Sequence, residues 1–164
     1  MIRITKLTDY GIVLLSHIAR TPDWRTRSVR DIAAETHVPL PTVSKLLKSL
    51  TRSGLLVSQR GVKGGYALAR RPELITVAQI IAALDGPIAI TDCSGDDHGR
   101  CEIERLCSVR TNWKRINVAI VRALDSLTLA DMAKPNDPAF IPLAEIMMQA
   151  SGKPLETRAK VLKT

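Results

Sequence analysis

Residues 28–70 read SVRDIAAETHVPLPTVSKLLKSLTRSGLLVSQRGVKGGYALAR, and this stretch decides the fold. Ser28, followed three residues later by Asp31, has the form of a capping box and opens a helix over about residues 29–36. His37-Val38-Pro39-Leu40 is a turn. Pro41 has its φ pre-set and no N–H to lose, so it suits the start of a further helix that runs to about Arg52. Gly54 then supplies a left-handed stop. Two short apolar runs, residues 55–58 and 66–69, flank RGVKGG and form a hairpin with a glycine-rich tip. Gly61, Gly64 and Gly65 permit tight, positive-φ turns in that tip.

Working outward, Thr8 is placed to cap a first helix over about residues 9–20. Its apolar face is Ile12, Leu15, Ile18 and Ala19, at helical spacing. Three helices followed by a glycine-tipped hairpin is the order of a winged helix-turn-helix. Downstream, Thr76 caps a fourth helix over about residues 77–84, stopped by Gly86-Pro87. A loop from Ile90 to about Cys107 precedes a long helix over about residues 109–127. Trp113, Ile116, Ile120, Val121, Leu124 and Leu127 lie mostly on one stripe of that helix. Prolines recur after Lys134, leaving room for one short helix near residues 143–149, and the last dozen residues have a disordered composition. The expected fold class is mainly α with a small β-hairpin. Its divisions are a winged helix-turn-helix over residues 1–86, a cysteine loop over 87–107, a long-helix region over 108–133 and a partly disordered tail over 134–164.

The 164 residues are 45% apolar, enough for one compact core or two small ones. The formal charge of +8 is confined to one half of the chain. Residues 1–80 hold 13 Lys and Arg against 5 Asp and Glu, whereas residues 81–164 hold 11 of each. This asymmetry points to a polyanion-binding module joined to a neutral one. The five aromatics, Tyr10, Trp24, Tyr66, Trp113 and Phe140, are too few for a base-stacking platform. Duplex DNA is the better match. MIRITKLTDYG carries charges where a signal peptide needs an apolar run, and stretches such as IVLLSHIA are too short to span a bilayer. A soluble, cytoplasmic protein with no membrane partner is expected.

On the third helix, Val43, Leu46, Leu47 and Leu50 face inward. Thr42, Ser44, Lys45, Lys48, Ser49 and Arg52 are left outward. The N-terminal turn of such a helix meets base edges while its lysines reach phosphates. A solvated helix with ordinary surface lysines is the bland alternative, and the capped helix before it and the basic hairpin after it weigh against that. Arg60 and Lys63 stand on the hairpin tip. A thin loop with a projecting arginine enters a narrow minor groove, which attracts guanidinium. Phosphate cradling of a nucleotide is disfavoured, because this glycine-rich loop joins two strands and opens no helix.

Cys93, Cys101 and Cys107 are the only cysteines, all within TDCSGDDHGRCEIERLC at residues 91–107. Three thiolate donors in one loop are placed for a single metal centre. Structural zinc favours C-x-x-C knuckles, and none occurs. A catalytic cysteine needs a histidine, and of His17, His37 and His98 only His98 is local. A disulfide switch needs two of the three thiols. An iron–sulfur cluster would use all three plus a fourth ligand. Three free cysteines without function complete the alternatives. No enzymatic active site is evident.

The chain resembles the IscR/NsrR family of iron–sulfur transcription regulators over roughly residues 1–133. MIRITKLTDYG, VRDIAAETHVPLPTVSKLLKSLTRSGLL, RGVKGGY and the three-cysteine loop occur in that family's order. TDCSGDDHGRCEIERLCSVRTNWKRIN is most similar to the branch that regulates SUF-type iron–sulfur assembly genes. The resemblance implies a homodimer built on the long helix, binding a palindromic operator as a repressor. It also implies a 2Fe–2S or 4Fe–4S cluster held by Cys93, Cys101 and Cys107. Some members add a histidine three residues after the last cysteine. Here that position is Arg110, which has no free lone pair. Nitric-oxide-sensing members use an acidic residue near the partner chain's N-terminus, where this chain has Asp9. Asp9 from the partner chain is thus the first candidate for the fourth ligand and His98 the second. The alternatives carried forward are a cluster-free thiol/disulfide redox regulator of the same fold, a nitric-oxide-sensing repressor and, in another class, an iron–sulfur trafficking or scaffold protein.

Overall fold

The computed structural model describes residues 4–21, 25–61, 64–94, 101, 103 and 106–134. Its elements are α1 (Lys6–Ala19), α2 (Val29–Thr36), α3 (Leu40–Arg52), β1 (Leu56–Gln59), β2 (Gly65–Leu68), a 3-10 turn (Pro72–Leu74), α4 (Val77–Asp85), α5 (Arg110–Asp125) and α6 (Leu129–Ala133). This is the mainly helical chain with one small antiparallel hairpin that the sequence predicts, and the hairpin register runs from Leu56 opposite Leu68 to Gln59 opposite Gly65. No described helix is long and apolar enough to cross a membrane.

The local signals act largely where expected. The Ser28 hydroxyl accepts from the Asp31 N–H at 3.2 Å, and His37 ends α2 in the left-handed region at φ 57°. Gly54 closes α3 at φ 73°, where the Leu55 N–H donates to the Leu50 carbonyl at 3.0 Å. At α4, Thr76 and Gln79 form a reciprocal capping box. The first helix differs from expectation. It begins three residues earlier, because Thr5 and not Thr8 is its cap, accepting from the Thr8 N–H at 3.2 Å. Asp85 fixes that choice by accepting from the Thr5 hydroxyl at 2.7 Å. Thr8 then lies one turn inside and is fully buried. The buried face of α1 is therefore Thr8, Gly11, Leu14, Leu15 and Ile18, with Ile12 only half-buried.

Val43, Leu46, Leu47 and Leu50 of α3 insert among Leu14, Leu15, Ile32, Leu56, Ile75 and Ile80. Burying each such side chain is worth about 1.5–3 kcal/mol. Leu129 of α6 completes this core. Sequence reading gave this short helix no place of its own. Residues 128–133, grouped there with the long-helix region, pack back on α1 and the 3-10 turn. The Leu129 N–H donates to the Ile75 carbonyl at 2.8 Å, and the Val77 N–H donates to the Leu127 carbonyl at 2.9 Å. Asp131 caps α6, and the Lys134 ammonium beside it, with the Thr128 hydroxyl and N–H, holds its carboxyl down to about 2. The short helix expected near residues 143–149 and the tail lie outside the described residues.

The hairpin is fastened to the helical body by Leu56 and Leu68 in the core and by backbone hydrogen bonds. Arg27 and Tyr66 exchange two N–H···O bonds of 2.9 Å, so the segment before α2 adds a third, one-residue strand. Gly61 alone of the tip glycines has a positive φ, 115°. Gly64 and Gly65 serve close approach instead, since a Cβ on Gly65 would stand 2.4 Å from the Arg27 carbonyl oxygen. A backbone atom cannot swing aside as a side chain can. Gly65→Ala should therefore cost about 1–3 kcal/mol, measured by urea unfolding, and an unchanged midpoint would show that the hairpin detaches without loss.

Candidate functional site

Two groups of residues merit description, a basic surface on α3 and the hairpin, and the cysteine loop beside α5. The apolar period of α3 turns its remaining side chains outward. Lys45, Lys48 and Arg52 are exposed, while Thr42 and Ser44 are half-buried nearer its N-terminus. Arg60 is exposed on the hairpin, and Lys63 lies outside the described residues. None of Lys45, Lys48, Arg52 and Arg60 has an acidic partner among the described residues. Cations held in this way keep their full field for an external anion. Between α3 and the hairpin lies an open cleft of about 390 Å³, lined by Lys48, Thr51 and Arg52 on one wall and Ser58 and Tyr66 on the other. Sequence reading passed over its three hydroxyl residues, Thr51, Ser58 and Tyr66, because their convergence depends on how the hairpin folds back.

The cysteine loop starts from a tightly held segment. Asn117 is the only buried residue of α5, 7% exposed. Its Oδ1 accepts from the Ile90 N–H at 3.1 Å, and its Nδ2 donates to the carbonyls of Ile88 at 3.0 Å and Ser94 at 3.4 Å. Within this segment Ser94 closes a turn, with its N–H on the Thr91 carbonyl at 3.0 Å and its hydroxyl accepting from the Thr91 N–H at 3.0 Å. Cys93 is thereby buried, 6% exposed, with its sulfur 3.4 Å from the Thr91 hydroxyl. Cys101 and Cys107 are half-buried, and the adjacent Leu106 is 91% exposed. Asparagine is a poor residue for a helix interior, since its amide competes for backbone partners. That was the one available sequence signal for Asn117.

All three cysteines are free. Three unpaired thiols on one loop form a donor set that fits a soft metal centre. Among the described residues, however, no three His, Cys, Asp or Glu side chains converge as a metal site. Asp9 is exposed on the first turn of α1, and His98 lies outside the described residues. Trp113 and Ile116 of the α5 stripe are exposed, while Ile120, Val121, Leu124 and Leu127 are half-buried. Asn117→Ala would leave one N–H and two carbonyls without their partner, a cost of about 1–3 kcal/mol. It should unseat the segment, so that maleimide labels Cys93 faster while Cys101 and Cys107 keep their rates. Labelling of Cys93 at the native rate would mean that the segment is held by something else.

Residues 4–135 match the family model of Rrf2, described as an iron-dependent transcriptional regulator. A Synechocystis sp. protein named as an HTH-type transcriptional regulator, slr0846, is 37% identical over 130 residues, covering 79% of this chain and 86% of its own. Among solved structures, CymR of B. subtilis, titled the global cysteine regulator, superposes with a TM-score of 0.65 at 31% identity, covering 84% of this chain and 100% of that one. IscR of T. potens superposes with a TM-score of 0.63 at 27% identity, covering 85% and 92%.

Proposed function

The chain belongs to the Rrf2 family of DNA-binding transcriptional regulators, and from that premise we propose that it is a cytoplasmic, homodimeric repressor whose grip on a palindromic operator is set by an iron–sulfur cluster. Its targets would include SUF-type iron–sulfur assembly genes, following the resemblance of its cysteine loop to that branch. The observation that carries the reading is the unpaired basic surface of Lys45, Lys48, Arg52 and Arg60 across α3 and the hairpin. In this arrangement α3 enters the major groove, Thr42 and Ser44 of its first turn meet base edges, and Arg60 and Lys63 reach the flanking minor groove.

The division of labour is by segment. Residues 1–86 bind DNA, residues 87–107 hold the cluster and residues 108–133 pair the subunits, leaving 134–164 as the tail. The apolar stripe on α5, exposed at Trp113 and Ile116 and half-buried beyond them, supports the pairing, since a helix whose one buried side chain is polar leaves hydrophobic surface for another chain. Cys93, Cys101 and Cys107 would hold a 2Fe–2S or 4Fe–4S cluster, with Asp9 of the partner subunit or His98 as fourth ligand. The cluster would supply a centre sensitive to iron, oxygen or nitric oxide. Cys93 contributes a sulfur from a buried, hydrogen-bonded turn, and Asn117 keeps that turn against α5. The family's iron-dependent description and the likeness to IscR of T. potens favour this reading.

A second reading is a cluster-free regulator that senses oxidants through disulfides among the same thiols. It draws on the likeness to CymR of B. subtilis and on the lack of a converged ligand group among the described residues. The confinement of the excess charge to residues 1–80 weighs against a trafficking or scaffold protein.

Protein purified without air should be coloured and contain iron. Cys93→Ala, Cys101→Ala and Cys107→Ala should each fold yet lose that absorbance, because no spare cysteine exists. Colourless, iron-free wild type that forms disulfides in air would establish the second reading instead. For the DNA surface, Lys48→Ala should weaken binding to all duplexes alike and reduce the slope of log affinity against log salt by about 0.9 for each subunit of the dimer. An unchanged slope in a salt titration would remove Lys48 from the phosphate contacts.

A further inference from the structure

The cleft between α3 and the hairpin has walls from two elements that converge only in the folded chain. Lys48 and Arg52 stand on α3 one turn apart, about 6 Å along the axis. Ser58 and Tyr66 are cross-strand partners on β1 and β2. No carboxylate lines the cleft, and neither cation has an ion-pair partner among the described residues. The Thr51 hydroxyl donates inward to the Leu47 carbonyl at 2.7 Å. The hydroxyls of Ser58 and Tyr66 make no hydrogen bond among the described residues. Four donor groups without internal acceptors therefore line one concave, acid-free space.

Duplex geometry says what fits there. A helix in the major groove and a hairpin tip in the adjacent minor groove are separated by a single sugar–phosphate strand. That strand must pass between them, which is where the cleft lies. We propose that the cleft seats this backbone strand, with the Tyr66 and Ser58 hydroxyls donating to phosphate oxygens that Lys48 and Arg52 neutralise. The proposal rests on the duplex-binding reading and adds to it a neutral clamp on the hairpin wall. Phosphate oxygens are acceptors only, so they satisfy hydroxyl, ammonium and guanidinium donors together. A phosphodiester is the same at every step, so the clamp fixes register and carries no sequence information.

The test uses the full chain with two duplexes of equal length, one selected by the wild type from a random pool and one scrambled. Tyr66→Phe keeps the half-buried ring and removes only the hydroxyl. It should weaken both duplexes about tenfold with the salt slope unchanged, because no charge is lost. Ser58→Ala should act in the same direction. Arg52→Ala should weaken both and also reduce the slope by about 0.9 for each subunit of the dimer. Replacing symmetry-related phosphates in pairs by neutral methylphosphonate should reveal one pair of positions at which Tyr66→Phe costs nothing further. Should Tyr66→Phe fail to melt like the wild type, Ser58→Ala on the exposed strand decides alone. If both variants match the wild type, or weaken only the selected duplex, the backbone clamp is overturned while duplex binding stands. If the wild type retains no duplex from the random pool, the duplex reading itself falls.

Discussion

The close crossing of residues 27 and 65 is the constraint on which the basic surface of α3 and the hairpin depends. The hairpin seats Leu56 and Leu68 in the helical core, and two backbone hydrogen bonds between Arg27 and Tyr66 tie it to the segment before α2. Those bonds form only because Gly65 presents no Cβ to the Arg27 carbonyl. The Arg27 guanidinium in turn pairs with Glu35 of α2. One short segment therefore links hairpin, α2 and, through the helix-turn-helix, α3. The angle between the two walls of the basic cleft follows from that linkage together with the packing of Leu56 against the core face of α3.

The long helix is held differently. At its C-terminal end Asp125 accepts from the Thr76 hydroxyl at 2.9 Å, and the chain returns through Leu127 and Leu129 into the core of the winged helix. Further toward its N-terminus, Asn117 reaches the backbone of residues 88–94. Along its length Trp113, Ile116 and Val118 are exposed, while Ile120 and Leu124 are half-buried. α5 is thus braced against α4 while offering its hydrophobic side elsewhere, the arrangement expected of a helix whose packing is completed by another chain.

Much of this was legible before the fold was seen. The four inward leucine and valine positions of α3, the Ser28 and Thr76 caps and the Gly54 stop depend on neighbours within a few residues, so periodicity and capping chemistry find them. What was missed depends on distant partners. Thr8 was a reasonable cap until Asp85, 77 positions away along the chain, engaged Thr5 in its place. α6 is too short to show a period, and only Leu129 entering a remote core makes it a helix worth keeping. Gly64 and Gly65 were read for turn freedom, whereas a Cβ would strike the turn's own backbone at Gly64 and the Arg27 backbone at Gly65. The three cysteines look equivalent along the chain. The fold distinguishes them, sealing Cys93 in a turn while Cys101 and Cys107 stay partly open to solvent.

The choice of an amide at position 117 has a consequence of its own. A carboxylate there would meet two carbonyl oxygens with no proton to offer, and a protonated acid would provide one donor where two are needed. An imidazole or an amine would gain and lose charge with its surroundings. The Asn117 side chain does neither, so the junction between thiol loop and long helix has the same charge at every pH the cell experiences. Acidification alone therefore leaves this joint unaltered, and a change at the sulfurs is not confused there with a change in proton concentration.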